Sequence, residues 1–117
     1  MSSPPSNRMQ RIGDQIQREL AQLLIAKVND LRLHDLSITA ARVSPDMANA
    51  TIFVSILDQK KLPDALMALK HASGFLRREL ARSLNLRVTP RLSFIYDESL
   101  LKADRLTRLI NDVANDS

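Results

Sequence analysis

Chemistry in a 117-residue chain without cysteine has to come from histidines, carboxylates, hydroxyls or cations. His34 and His71 are the two histidines, and neither has a helical histidine or acidic partner at metal-ligand spacing. The thirteen carboxylates are scattered over turns and helix starts, where capping accounts for them; Asp46 reads as a turn residue. With only Gly13 and Gly74 in the chain, there is no glycine-rich loop to cradle a nucleotide phosphate. No catalytic residue, metal site or cofactor is therefore expected, and the chain is not read as an enzyme. The cations are another matter. Between Lys70 and Arg91 stand Lys70, Arg77, Arg78, Arg82, Arg87 and Arg91 against Glu79 alone, in a chain whose net charge is only +4. Twelve of the seventeen cations are arginine, whose planar guanidinium matches phosphate geometry. The chemistry predicted is the holding of an anion. The bland alternative is a solvated helix face, in which Glu79 relieves Arg82 at i,i+3.

The stretch that must position these cations runs from Leu69 to Leu84. Helical spacing is present on both sides of Gly74: Ala65, Leu66, Leu69 and Ala72 before it, Leu76, Leu80 and Leu84 after it. Glycine inside a helix costs about 1 kcal/mol relative to alanine, so Ala72-Ser73-Gly74 is read as a kink between two helices. Small residues there would let a sugar-phosphate backbone approach closely. The exposed start of the second helix would then help to hold a phosphate. Lys70, Ala72, Ser73 and Gly74 thus join Arg77, Arg78, Arg82, Arg87 and Arg91 as candidate RNA-binding residues. Phe53, Phe75, Phe94 and Tyr96 are the aromatic residues, and most of them read as core. That argues for backbone and shape recognition over base stacking.

Residues 1–7 are a polar, proline-containing lead expected to be disordered. Met9, Ile12, Ile16, Leu20, Leu23 and Leu24 form the stripe of a first helix that should end by Asn29–Asp30. Arg8 and Arg11 lie in its first turn, where cations oppose the helix dipole, which suggests an anion nearby and adds both to the candidates; the bland alternative is a soluble face that Asp14 and Glu19 partly neutralise. Leu36, Ile38 and Ala40 alternate, then the phase shifts to Ala41 and Val43, as at a β-bulge. Ser44-Pro45-Asp46-Met47 reads as a turn into a second strand, Ala50, Ile52, Val54 and Ile56 alternating with Phe53 and Leu57 on a face that another helix could cover. Pro63 and Asp64 open the next helix, Asn85 is a left-handed stop, and Arg91–Tyr96 is a third strand. Asp97-Glu98-Ser99 caps a last helix carrying Ala103, Leu106, Ile110 and Val113.

The order is α-β-β-α-kink-α-β-α, an α+β fold with a three-stranded mixed sheet, its third strand parallel to the first, and helices on one face. The expected organisation is a disordered lead (1–7), a single domain (8–114) and a short tail (115–117). No apolar run approaches the ~18 residues of a membrane span, no signal peptide core is present, and a cytoplasmic, monomeric protein is expected.

Helix, small-residue kink and helix beside such a sheet resemble a type II KH domain, with Ala72-Ser73-Gly74 where ordinary members carry a glycine-x-x-glycine loop. The words around it resemble the bacterial ribosome-binding factor A family. They are Arg8-Met-Gln-Arg11 leading to Arg18-Glu19-Leu20; Val43-Ser-Pro-Asp46 with Ala50; Ala72-Ser-Gly74 through Leu76-Arg77; and Thr89-Pro90-Arg-Leu-Ser-Phe94 with Asp97. Single words are weak; their order and spacing from residue 8 to about 110 are specific. The resemblance implies a non-enzymatic assembly factor that binds the small ribosomal subunit and its ribosomal RNA. It implies support of late maturation near the 5′ end and decoding region, a role most needed in the cold, and assembly GTPases as candidate further partners. It also implies an RNA surface at Arg77, Arg78 and Arg82 with Ala72 and Gly74. Two alternatives stay open: a basic module docking an acidic protein, and a general single-stranded RNA binder.

Overall fold

The computed structural model describes residues 7–99. The first six residues and the last expected helix, with Ala103, Leu106, Ile110 and Val113, lie outside the described residues. Helix α1 (Asn7–Ala26) is followed by a 3-10 turn at Leu31–Leu33, strands β1 (Leu36–Val43) and β2 (Asn49–Ile56), helix α2 (Leu62–Ser83) and strand β3 (Arg91–Tyr96). The fold is α+β. The helices cover one face of the sheet, where Ile16, Leu20 and Leu23 of α1 and Ala65, Leu69, Leu76 and Leu80 of α2 meet Ala50, Ile52, Val54 and Ile56. Burial along β2 alternates strictly, so the sheet's other face is the half-buried one.

Strand pairing corrects one expectation. β3 joins the far side of β2 and runs parallel to it, giving the order β1-β2-β3, so it is antiparallel to β1 and not its neighbour. The reason is the β2-α2-β3 crossover. A helical connection brings the chain back in the direction of the strand it left, which is β2. β1 does carry a bulge, but earlier than the phase shift placed it: register slips between Ile38 and Ala40, leaving Thr39 as the extra residue, while Ala40 and Ala41 pair in sequence with Phe53 and Ile52. The Thr39 hydroxyl donates to the Asp97 carboxylate at 2.6 Å, tying β1 to the end of β3 across β2. Asp97 also accepts from the Ser99 amide at 2.9 Å; the helix it was expected to cap lies outside the described residues.

The kink expected at Gly74 is not an interruption: α2 is one helix of 22 residues passing through Ala72, Ser73 and Gly74. No glycine has positive φ, so Gly74 sits in ordinary helical backbone. Apolar contacts flank it on both sides, with Leu69 and Leu76 both fully buried, and that packing outweighs a propensity cost of about 1 kcal/mol. Asn85 does stop the helix, at φ 51°, and Leu86 donates to the Ala81 carbonyl. Leu57 is 88 % exposed; no helix covers it among the described residues.

Glycine has its structural use at Gly13, a buried residue in the middle of α1. A Cβ built there would lie 2.5 Å from the Ala41 carbonyl oxygen. One turn later Gln17 donates its side-chain amide to the Ile38 carbonyl at 2.9 Å. Together they lay α1 against the β1 backbone, the outer strand of the sheet, and shield an edge open to unwanted pairing.

Glu79 is the one buried charged residue among those described. It accepts from Lys27, the residue just past the end of α1, at 3.1 Å and from Arg82 of α2, tying the end of α1 to α2. Arg82 and Lys27 hold its carboxyl below the usual range. Ser99 and Thr39 do the same for Asp97, the Ser44 hydroxyl and Ala48 amide for Asp46, and Arg32 holds Asp30 down at about 2. Each binds protons less readily folded than unfolded, so its stabilisation is complete above the ordinary carboxylate pKa of about 4 and fades as pH falls through the lower folded value. The urea midpoint should stay level from pH 7 to about 5 and then fall steadily towards pH 2. Glu79→Gln should make that fall shallower, and an unchanged slope would remove Glu79 from the account.

Candidate nucleic-acid interface

α2 aligns the predicted cations because helical neighbours recur every three to four residues. Lys70, Gly74 and Arg78, at i, i+4 and i+8, share one exposed face of the helix. Between that face and the connector from α2 to β3 lies a shallow groove of about 330 Å³, lined by Gly74, Arg77, Arg78, Ala81 and Thr89. Gly74 presents bare backbone to it, and a Cβ there would meet only the Arg78 guanidinium, at 3.6 Å. Arg87 on the connector and Arg91 at the start of β3 are exposed beyond it.

The remaining candidates divide by what already holds them. Arg77 is half-buried, donating from Nε to the Pro90 carbonyl at 3.1 Å and from Nη2 to the Thr89 carbonyl at 3.0 Å. Arg82 is bound to Glu79 and its pKa is raised by that carboxylate. Ala72 is half-buried against the core, and the half-buried Ser73 donates its hydroxyl to the Lys70 carbonyl at 2.9 Å. Of the three small residues only Gly74 is exposed. Lys70, Arg78, Arg87 and Arg91 have no acidic partner among the described residues.

One expectation about mechanism falls with the break. Because α2 continues through Gly74, the amides of residues 75–77 belong to its own hydrogen bonds and offer no helix N-terminus to a phosphate. An anion in the groove has to be held by side chains.

Arg8 and Arg11 are exposed in the first turn of α1. Gly13 lies on Ala41 and Gln17 on Ile38, so α1 runs antiparallel to β1. Its first turn therefore projects towards the end of the sheet where β1 finishes and β3 begins with Arg91. Topology brings to one end arginines that are some eighty residues apart in sequence. Arg42, not singled out by the sequence, is at that end too, its guanidinium 5.7 Å from the Phe53 ring centroid on the half-buried face. Only its place in a strand opposite Thr51 could have signalled this. His34 and His71 are both exposed, and no group of histidines and carboxylates suited to a metal ion occurs among the described residues. Nor is any described helix long and apolar enough to cross a membrane.

The chain matches the family model of ribosome-binding factor A over residues 8–110. It is 42 % identical over 111 residues to ribosome-binding factor A of Azoarcus sp. (strain BH72), covering 94 % of this chain and 88 % of that one. The crystal structure of ribosome-binding factor A from Thermus thermophilus is similar at a TM-score of 0.69 and 32 % identity, over 75 % of this chain and 94 % of that one. A homology model of the Thermus thermophilus factor, fitted into the cryo-EM map of a 30S complex, is similar at a TM-score of 0.66 and 31 % identity, over 77 % and 96 % of the two chains.

Proposed function

This chain belongs to the ribosome-binding factor A family, and from that premise we propose that it binds the small ribosomal subunit through its ribosomal RNA and supports late maturation of the 5′ end and decoding region. It acts by occupancy, without turnover. The observation that carries this reading is the set of exposed cations Lys70, Arg78, Arg87 and Arg91, without an acidic partner among the described residues, beside the groove that Gly74 lines. Phosphate contacts by such side chains release counterions, so affinity should fall with salt at a log–log slope of roughly −0.7 to −0.9 per phosphate neutralised. Four contacts give a slope near −3.

Sedimentation of the tagged protein in lysate tests this. Co-migration with free small subunits at low salt, lost as salt is raised, is expected; protein that remains at the top of the gradient at low salt defeats the proposal. Association that survives nuclease would point instead to an acidic protein.

Gly74→Ala separates fold from function. Its Cβ meets ordinary van der Waals contact at 3.6 Å in helical backbone, so the variant should be more stable by up to about 1 kcal/mol. Subunit binding should nonetheless weaken, because the methyl group stands where the RNA backbone must approach. Equal or tighter binding with the higher melting temperature would show that the groove is not the contact.

A further inference from the structure

We infer that Arg77 is a positioning residue, whose guanidinium holds the connector between α2 and β3 so that Arg87 and Arg91 are presented to the anion, and that it makes no phosphate contact itself. The inference rests on the subunit-binding reading above and changes the role of the residue that the sequence placed first among the contacts.

The connector has little else to fix it. Leu86 is tied back to Ala81 and Arg91 to Ala48, and Pro90 is buried. Between those anchors, residues 87–90 make no other hydrogen bond among the described residues than the two accepted from Arg77 by the Thr89 and Pro90 carbonyls. Val88 is 58 % exposed and contributes little packing. A guanidinium suits this task because its donors are fixed in one plane and reach two successive carbonyls at once. Those same bonds aim Nε and Nη2 at the chain and away from a ligand. A lysine would keep the charge and lose the fork.

The test uses Arg77→Lys, Arg87→Gln/Arg91→Gln and the triple variant, each with purified small subunits over a salt series. Backbone ¹⁵N order parameters of residues 87–89 are measured in the free protein. If Arg77 positions the connector, Arg77→Lys should drop those order parameters from about 0.85 to below about 0.6. It should weaken binding about tenfold despite its retained charge and lower the salt slope by the roughly 1.4 to 1.8 expected for two phosphates. Added to Arg87→Gln/Arg91→Gln, it should cost nothing more, because the side chains it positions are already gone. Unchanged order parameters, or binding by Arg77→Lys within twofold of the parent, would overturn the inference. Failure of the unmodified protein to bind subunits would instead defeat the functional reading, and the order parameters distinguish the two failures.

Discussion

Gly13→Ala is expected to destabilise the protein by about 1–2 kcal/mol, although alanine is the better helix former. On an exposed helix the exchange would gain up to about 1 kcal/mol. At Gly13 the added Cβ would lie 2.5 Å from the Ala41 carbonyl oxygen and 3.4 Å from its carbon. Backbone cannot rotate aside as a flexible side chain can, so α1 must lift from β1. Overpacking of this kind typically costs 1–3 kcal/mol, and lifting α1 also stretches the Gln17 bond to Ile38 and loosens Ile16 and Leu20 in the core. Against a total stability of roughly 5–15 kcal/mol the net loss is large. It should lower the melting temperature by roughly 5–10 °C. Equilibrium unfolding in urea, run beside Gly74→Ala, provides the comparison: the same substitution should move the midpoint in opposite directions at the two glycines. If Gly13→Ala is as stable as the parent, α1 does not rest on β1 as described.

That pair of glycines also shows what a sequence can convey. Periodicity reports which face is buried, so the stripe of α1, the alternation of β2 and the span of β3 were all legible. Local chemistry was legible where residue type dictates conformation, as at the left-handed Asn85; that β1 carries a bulge was legible too, its position at Thr39 was not. Distance between elements was not. Gly13 looks like a mild defect in a helical stripe until Ala41 is placed against it, and Gly74 looks like a breaker until the buried Leu69 and Leu76 on either side carry the helix through. Strand order depends on which side of β2 the crossover returns, and no residue of β3 states it. The candidate interface divides in the same way. Sequence located the block of charge, but whether an arginine is free or engaged depends on its neighbours in space. Thr89 and Pro90 are more than ten residues from Arg77, and Lys27 is more than fifty from Glu79. Arg82 was the exception, since its i,i+3 carboxylate could be read directly.

Charge reversal at arginines that have no acidic partner among the described residues should weaken subunit binding severely without disturbing the fold. The informative variant is Arg78→Glu/Arg87→Glu. Both side chains are exposed and lack an acidic partner among the described residues, so the melting temperature should move by no more than a few degrees. If the proposed interface is right, two charge-assisted contacts to phosphate disappear and two carboxylates face the RNA instead, which should reduce affinity at least roughly 100-fold at physiological salt. Reversing Arg77 with Arg78 would be less instructive, because a carboxylate at 77 would be set against the Thr89 and Pro90 carbonyls and could unseat the connector. The necessary control is Lys60→Glu/Lys61→Glu, which changes net charge equally. Those lysines follow the end of β2, while Arg91 pairs with Asn49 at its beginning, so they stand at the opposite end of the sheet. If both reversals weaken binding alike, the protein is held by its overall field and the groove has no special part. If only Arg78→Glu/Arg87→Glu does so, binding depends on where the charge sits: α2 carries one cation and the connector another, and neither element alone forms the surface.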